Sequence, residues 1–120
     1  MQTRSYGSVT VFKPEPLEIF NALDSYVQEL KQREEILGVW LIGSYHRKDF
    51  GPFSDVDLVL IVRETAIRFL DRSTEYMPQK FPVAVDLFVY TIAETEEMKK
   101  SGHFFWADIE KSHTVLFERS

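Results

Sequence analysis

The chain has 120 residues, 19 acidic against 14 basic side chains, a net charge of -5 and no cysteine. That balance argues against a protein that holds bulk nucleic acid through a basic surface, and the missing cysteines exclude disulfides, thiolate zinc sites and cysteine nucleophiles. With 44% hydrophobic and 28% charged residues, no signal-like N-terminus and no run near the ~18 apolar residues of a membrane helix, the expectation is one globular domain over 1–120, off the membrane and cytoplasmic.

Tyr6, Ser8, Thr10 and Phe12 alternate with Val9 and Val11, which predicts a strand over 6–12, an added edge strand within the first 13 residues. Pro14 and Pro16 open a helix. Its stripe is Leu17, Phe20, Leu23, Val27 and Leu30, widened by Ile19 and Tyr26, with 31–35 as a solvated face and Gly38 as the stop. Residues 39–42 form a buried strand ending at Gly43, and Ser44 caps a short helix or turn through Lys48. A loop over 49–54 leads to a strand over 55–62. A helix over 64–76 follows, with Ile67, Phe69 and Leu70 as core contacts. Pro78 and Pro82 bracket a loop before a strand over 83–90. Thr91 and Glu94 have capping-box spacing. Gly102 interrupts that helix, 104–110 adds a turn or two, and 114–117 is a last strand. The aromatic run Phe104, Phe105, Trp106, like Trp40, reads as core or interface rather than a base-stacking platform. His103 and His113 read as structural, and His46 lies beside the candidate site.

Residues i and i+2 of a strand share a face, so Asp55 and Asp57 project together. Two carboxylates so placed repel and raise each other's pKa, and a divalent cation relieves them. Hard oxygen donors suit Mg²⁺, which fills its shell with water and phosphate. Asp86 stands in the apolar run Val83–Val89, and if its strand lies beside that of Asp55 the three acids can hold two metals. Gly43 and Ser44, at the end of a strand and the start of a helix, expose backbone amides to an anion. Arg47, a turn on, supplies a forked donor to the same phosphates. By average residue usage this Gly-Ser-x10-Asp-x-Asp pattern arises in roughly one chain in a thousand of this length. Binding by an EF-hand is excluded, because Leu58 and Val59 stand where a glycine turn and further ligands belong. Glycosyltransferases also use Asp-x-Asp, in domains usually much larger than this chain.

Gly43-Ser44-Tyr45-His46-Arg47, followed by Gly51-Pro52-Phe53-Ser54-Asp55-Val56-Asp57-Leu58 and later by Val85-Asp86-Leu87, resembles the signature of minimal nucleotidyltransferases of the DNA polymerase beta superfamily. The resemblance runs over about 17–118. It implies an α+β fold, a mixed β-sheet flanked by helices like a polymerase-beta palm. It also implies Mg²⁺ (or Mn²⁺) with a nucleoside triphosphate, ATP above all, and transfer of a nucleoside monophosphate to an acceptor hydroxyl, which a partner protein could supply. Asp55 and Asp57 would bridge the metals, Asp86 would hold the one that activates the acceptor, and Gly43, Ser44 and Arg47 would take the triphosphate. Lys48 departs from the glycine the family often has after that arginine. A second reading is a binding module, since small nucleotidyltransferases of this kind are often paired with a HEPN-domain protein as antitoxin to toxin.

Overall fold

The computed structural model describes residues 2–6 and 9–119, with side chains over 14–119. Gln2–Tyr6 (β1) and Val9–Lys13 (β2) pair antiparallel in a two-stranded sheet of their own. This corrects the single edge strand over 6–12, of which positions 7 and 8 lie outside the described residues. Period-2 alternation marks residues as extended but does not say which strand they pair with.

The main body is a four-stranded mixed sheet in the order β5-β4-β3-β6, built from Ile36–Ile42 (β3), Val56–Val62 (β4), Val85–Thr91 (β5) and Thr114–Glu118 (β6). β3 runs antiparallel to both β4 and β6, while β4 and β5 are parallel. The end of β3 and the starts of β4 and β5 therefore meet at one edge of the sheet. The α+β mixed-sheet expectation is what the fold displays.

Pro16–Lys31 (α1) covers one face. It buries Ile19, Leu23, Tyr26, Val27 and Leu30 against Val39, Leu41, Leu58, Leu60, Leu87 and Val89, each large side chain worth roughly 1.5–3 kcal/mol over exposure. Leu17 and Phe20 fall outside this stripe and remain exposed. The helix stops at Lys31, not Gly38. The amides of Gln32 and Arg33 turn back onto the last helical carbonyls, and Arg33 pairs with both Glu35 and Glu75, so part of the 31–35 charge run folds inward. Gly38 lies within β3.

The other face carries Ile92–Ser101 (α4) and Phe104–Lys111 (α5). Trp106 and Ile109 of α5 pack on Ile42, Val59 and Ile61. The capping box forms as expected, Glu94 N–H donating to Thr91 Oγ1 at 3.1 Å and Thr91 N–H to Glu94 Oε1 at 2.8 Å. Gly102 ends α4 in the left-handed conformation.

Between β4 and β5 the helix is shorter than expected, Phe69–Tyr76 (α3). The Thr65 hydroxyl instead accepts the Ile67 amide, an alternative to helix that threonine readily offers, and Arg68 is extended. Phe69 and Leu70 are exposed, and the inward face is carried by Arg72 and Tyr76. No helix among the described residues is long and apolar enough to cross a membrane.

Candidate active site

Strand register assembles the acids. Ile42 of β3 pairs with Asp57 of β4, and Asp57 with Asp86 of β5, in one row across the sheet edge. By period-2 alternation Asp57 shares the face of Val59 and Ile61, and Asp86 that of Phe88 and Tyr90, the side that α5 covers. Asp55 immediately precedes β4. Asp57 and Asp86 are hydrogen-bonded to each other, and the Asp57 carboxyl is pushed up to about 6: burial acts first, then the bond to Asp86, then the charges of Asp86 and Asp55, with Arg47 opposing. No three His, Cys, Asp or Glu side chains among the described residues are closed into a metal cage. The acids supply the oxygen donors a hard cation prefers, without forming a closed set. Asp57 and Asp86 are bonded, the charge of Asp55 reaches Asp57, and neutralising such repulsion is what a proton or Mg²⁺ does.

Gly43–Arg47 (α2) follows β3 directly. Gly43 has a φ of 71°, and a Cβ there would fall well inside van der Waals contact of Asp57 Oδ2. The backbone beside the carboxylate is thus open only because this residue has no side chain. The helix begins at Gly43 with Ile42 in the capping position, so the expected capping role of Ser44 is corrected. Ser44 lies in the first turn, half-buried, and its carbonyl accepts the Asp49 amide. Arg47 is exposed and bonded to Asp49 at 3.1 Å. Its charge already reaches Asp57.

Lys48 occupies the left-handed region, φ 66°, as the C-cap of α2. A glycine is favoured at such a position, and lysine keeps the same turn at a cost of about 1 kcal/mol. Lys48 thus adopts the left-handed turn for which glycine is the favoured residue. Lys48→Gly is expected to raise stability by about 0.5–1 kcal/mol, measured by urea unfolding.

Three features were missed in the sequence. Tyr45 is buried, stacked on Phe50 at 4.3 Å, with a hydroxyl that lacks a hydrogen-bond partner among the described residues. Burial and then the charge of Asp55 raise its pKa. Secondly, His46 Nδ1 meets Thr114 Oγ1 at 2.8 Å, which ties α2 to β6. The third is a cleft of about 500 Å³ between the sheet edge and α5, walled by Gly43, Arg47 and Asp57 on one side and by Phe88, Phe105, Asp108, Ile109 and Lys111 on the other. Two signals pointed to it: Phe88 shares the strand face of Asp86, and 105, 108 and 109 lie on one helical face. Trp106 is core and Phe104 exposed. His113 is structural, stacked on Trp40 with Nδ1 on the Ile109 carbonyl.

Residues 23–114, which hold every one of these acids and the Gly43 turn, match the family described as Nucleotidyltransferase domain. The chain belongs to this family. Over 54 residues it is 37% identical to a putative protein adenylyltransferase of Methanocaldococcus jannaschii, a match spanning 43% of this chain and 37% of that protein. The fold resembles a putative nucleotidyltransferase from Sulfolobus solfataricus, with a TM-score of 0.58 at 17% identity over 86% of this chain and 83% of the other. It also resembles spectinomycin adenyltransferase from Enterococcus faecialis, solved with ATP and spectinomycin, with a TM-score of 0.53 at 12% identity over 88% of this chain and 57% of that one. At such identities these two are likenesses of fold.

Within this nucleotidyltransferase domain, Gly43→Ala is expected to reduce transfer about 100-fold, the scale of a 1 Å misplacement of a reacting group, because the new methyl must displace the Asp57 carboxylate. Steady-state transfer beside a circular-dichroism melt checks it; full activity in a folded variant would show that Asp57 need not hold its position.

Proposed function

We propose that this nucleotidyltransferase domain transfers AMP from ATP to an acceptor hydroxyl, with Mg²⁺ (or Mn²⁺) held by Asp55, Asp57 and Asp86. The observation that carries the reading is the row Ile42, Asp57, Asp86 across the sheet edge, with side-chain-free Gly43 packed on the Asp57 carboxylate. Gly43 and Ser44 offer amides to the phosphates, and Arg47 adds a cation beside them. Asp86, at the far end of the row, stands on the acceptor side. Divalent cations in such a site draw charge from the attacking and leaving oxygens. The acceptor oxygen bonds to the α-phosphorus as the bond to pyrophosphate breaks, and the acceptor's proton is released. Adenylyl transfer to a protein is the activity for which the Methanocaldococcus jannaschii relative is named, and ATP accompanies the Enterococcus faecialis structure. Both support AMP as the group moved, and a cytoplasmic setting supplies ATP and Mg²⁺. A thermal melt is the first test. Mg²⁺ with ATP should raise the melting temperature, and no shift with either Mg²⁺ or Mn²⁺ would overturn the reading.

A second reading is a non-catalytic or weakly catalytic module that neutralises a HEPN-domain partner. Apolar surface left uncovered at Leu17, Phe20 and Phe53 favours a protein contact. Asp55→Asn separates the two: neutralisation retained by this variant means binding suffices, and neutralisation lost with binding retained means transfer is required.

A further inference from the structure

Asp55 is the acid that the fold leaves loose. Asp57 and Asp86 are bonded to each other, whereas Asp55 precedes β4, is exposed, and has no hydrogen bond or ion pair among the described residues. The loop over 49–54 that delivers it is tied down from α2. The Asp49 amide donates to the Ser44 carbonyl and the Gly51 amide to Ser54 Oγ at 2.7 Å. The Phe50 ring stacks on Tyr45 at 4.3 Å with 9° between the planes, and Phe20 of α1 meets both rings edge-on at 6.0 Å. Packing alone asks for phenylalanine at position 45. The chain has tyrosine there, only 2% exposed, with a hydroxyl that has no partner among the described residues. Burying an unpaired hydroxyl costs stability, and such a group in a native fold points to a use outside packing. Burial and then the charge of Asp55 hold its proton on, so it stays a donor, and the field it feels is that of Asp55.

We propose that Tyr45 is a positioning residue for Asp55: its hydroxyl donates to the Asp55 carboxylate once that carboxylate turns in towards Asp57 and Asp86 to share a cation. The inference rests on the nucleotidyl-transfer reading and adds to it the group that completes the acid set, which the described residues do not close by themselves. A charge-assisted O–H···O⁻ bond suits the task. The ring, held by Phe50 and Phe20, leaves the hydroxyl little freedom, and the exposed Asp55 is the partner that has freedom to lose.

Tyr45→Phe removes one oxygen and keeps the ring, so it separates the hydroxyl from the packing. Two measurements are read together on wild type and variant. One is the affinity for Mn²⁺ at saturating α,β-methylene-ATP, followed by electron paramagnetic resonance. The other is a thermal melt without metal or nucleotide. Mn²⁺ should bind the variant about tenfold more weakly, the scale of one hydrogen bond to a charged group. The melting temperature should stay equal or rise, because an unpaired buried hydroxyl is gone. Unchanged Mn²⁺ affinity would overturn the proposal and leave the transfer reading standing. A weaker Mn²⁺ site in a variant that also melts lower would overturn it too, since Tyr45 would then act through packing. Wild type that takes up no Mn²⁺ with the analogue would overturn the nucleotidyl-transfer reading together with this one.

Discussion

Asp57→Asn is expected to lower nucleotidyl transfer by a factor on the order of 10³, a loss of several kcal/mol of transition-state stabilisation, and at the same time to stabilise the metal-free protein. Asp57 is the middle member of the row, bonded to Asp86 and packed on Gly43. Its carboxyl is raised from 3.8 to about 6, so the folded state holds a proton that the unfolded chain releases. Stability therefore falls as pH rises between those values, and the penalty is complete above about 6. The amide carries no such penalty. After discounting for solvent screening the gain is on the order of 1 kcal/mol, a rise of a few degrees in melting temperature. The rise from added Mg²⁺ and ATP should shrink correspondingly. Paired melts with and without Mg²⁺-ATP, beside a transfer assay, check all three results. Unchanged transfer in a folded Asp57→Asn protein would remove this residue from the chemistry.

The acids were legible in the sequence because the signal is local: Asp55 and Asp57 stand two residues apart at the start of one strand, although β4 begins at Val56 and period 2 does not govern Asp55, and an acid inside an apolar strand, Asp86, needs a partner. Their meeting depended on topology. Only the parallel pairing of β4 with β5 sets Asp86 beside Asp57, and no residue pattern states that register. Local chemistry was equally readable at Thr91 and Glu94, whose capping box closes within four residues. Errors arose where a local signal competed with the rest of the chain. Gly38 resembles a helix stop, but the backbone had already turned at Gln32. Phe69 and Leu70 look like core, yet the phase of α3 is set by Arg72 and Tyr76. The cleft under α5 joins Gly43 to Phe105, residues far apart in the chain, and came into view only in three dimensions.

Arg72→Met should produce the largest loss of stability, about 3 kcal/mol, although arginine in the middle of a short helix looks like solvated surface in the sequence. The side chain is only 6% exposed. Nε donates to the Ile67 carbonyl at 2.9 Å, and Nη1 to the Val89 carbonyl at 3.1 Å. Nη1 and Nη2 fork onto the two Glu94 oxygens at 2.6 and 3.2 Å. One guanidinium thus joins the segment before α3, the strand that carries Asp86 and the first turn of α4. Methionine fills much of the volume but removes the Arg72 donors from the Ile67 and Val89 carbonyls and leaves Glu94 with the Thr91 amide alone of the donors named. Lysine should recover only part of the loss, since an ammonium cannot reproduce the fork. Acid gives the discriminating measurement. Burial pushes the Glu94 carboxyl up, but the bonds from Arg72 and the Thr91 amide outweigh it and hold the carboxyl below its ordinary value of 4.5. The pair's contribution is therefore complete above 4.5 and disappears as pH falls through the lower folded value. Urea unfolding of wild type and Arg72→Met should differ most at pH 7 and converge in strong acid. A gap that stays constant across that range would mean the arginine acts through packing and its carbonyl bonds alone.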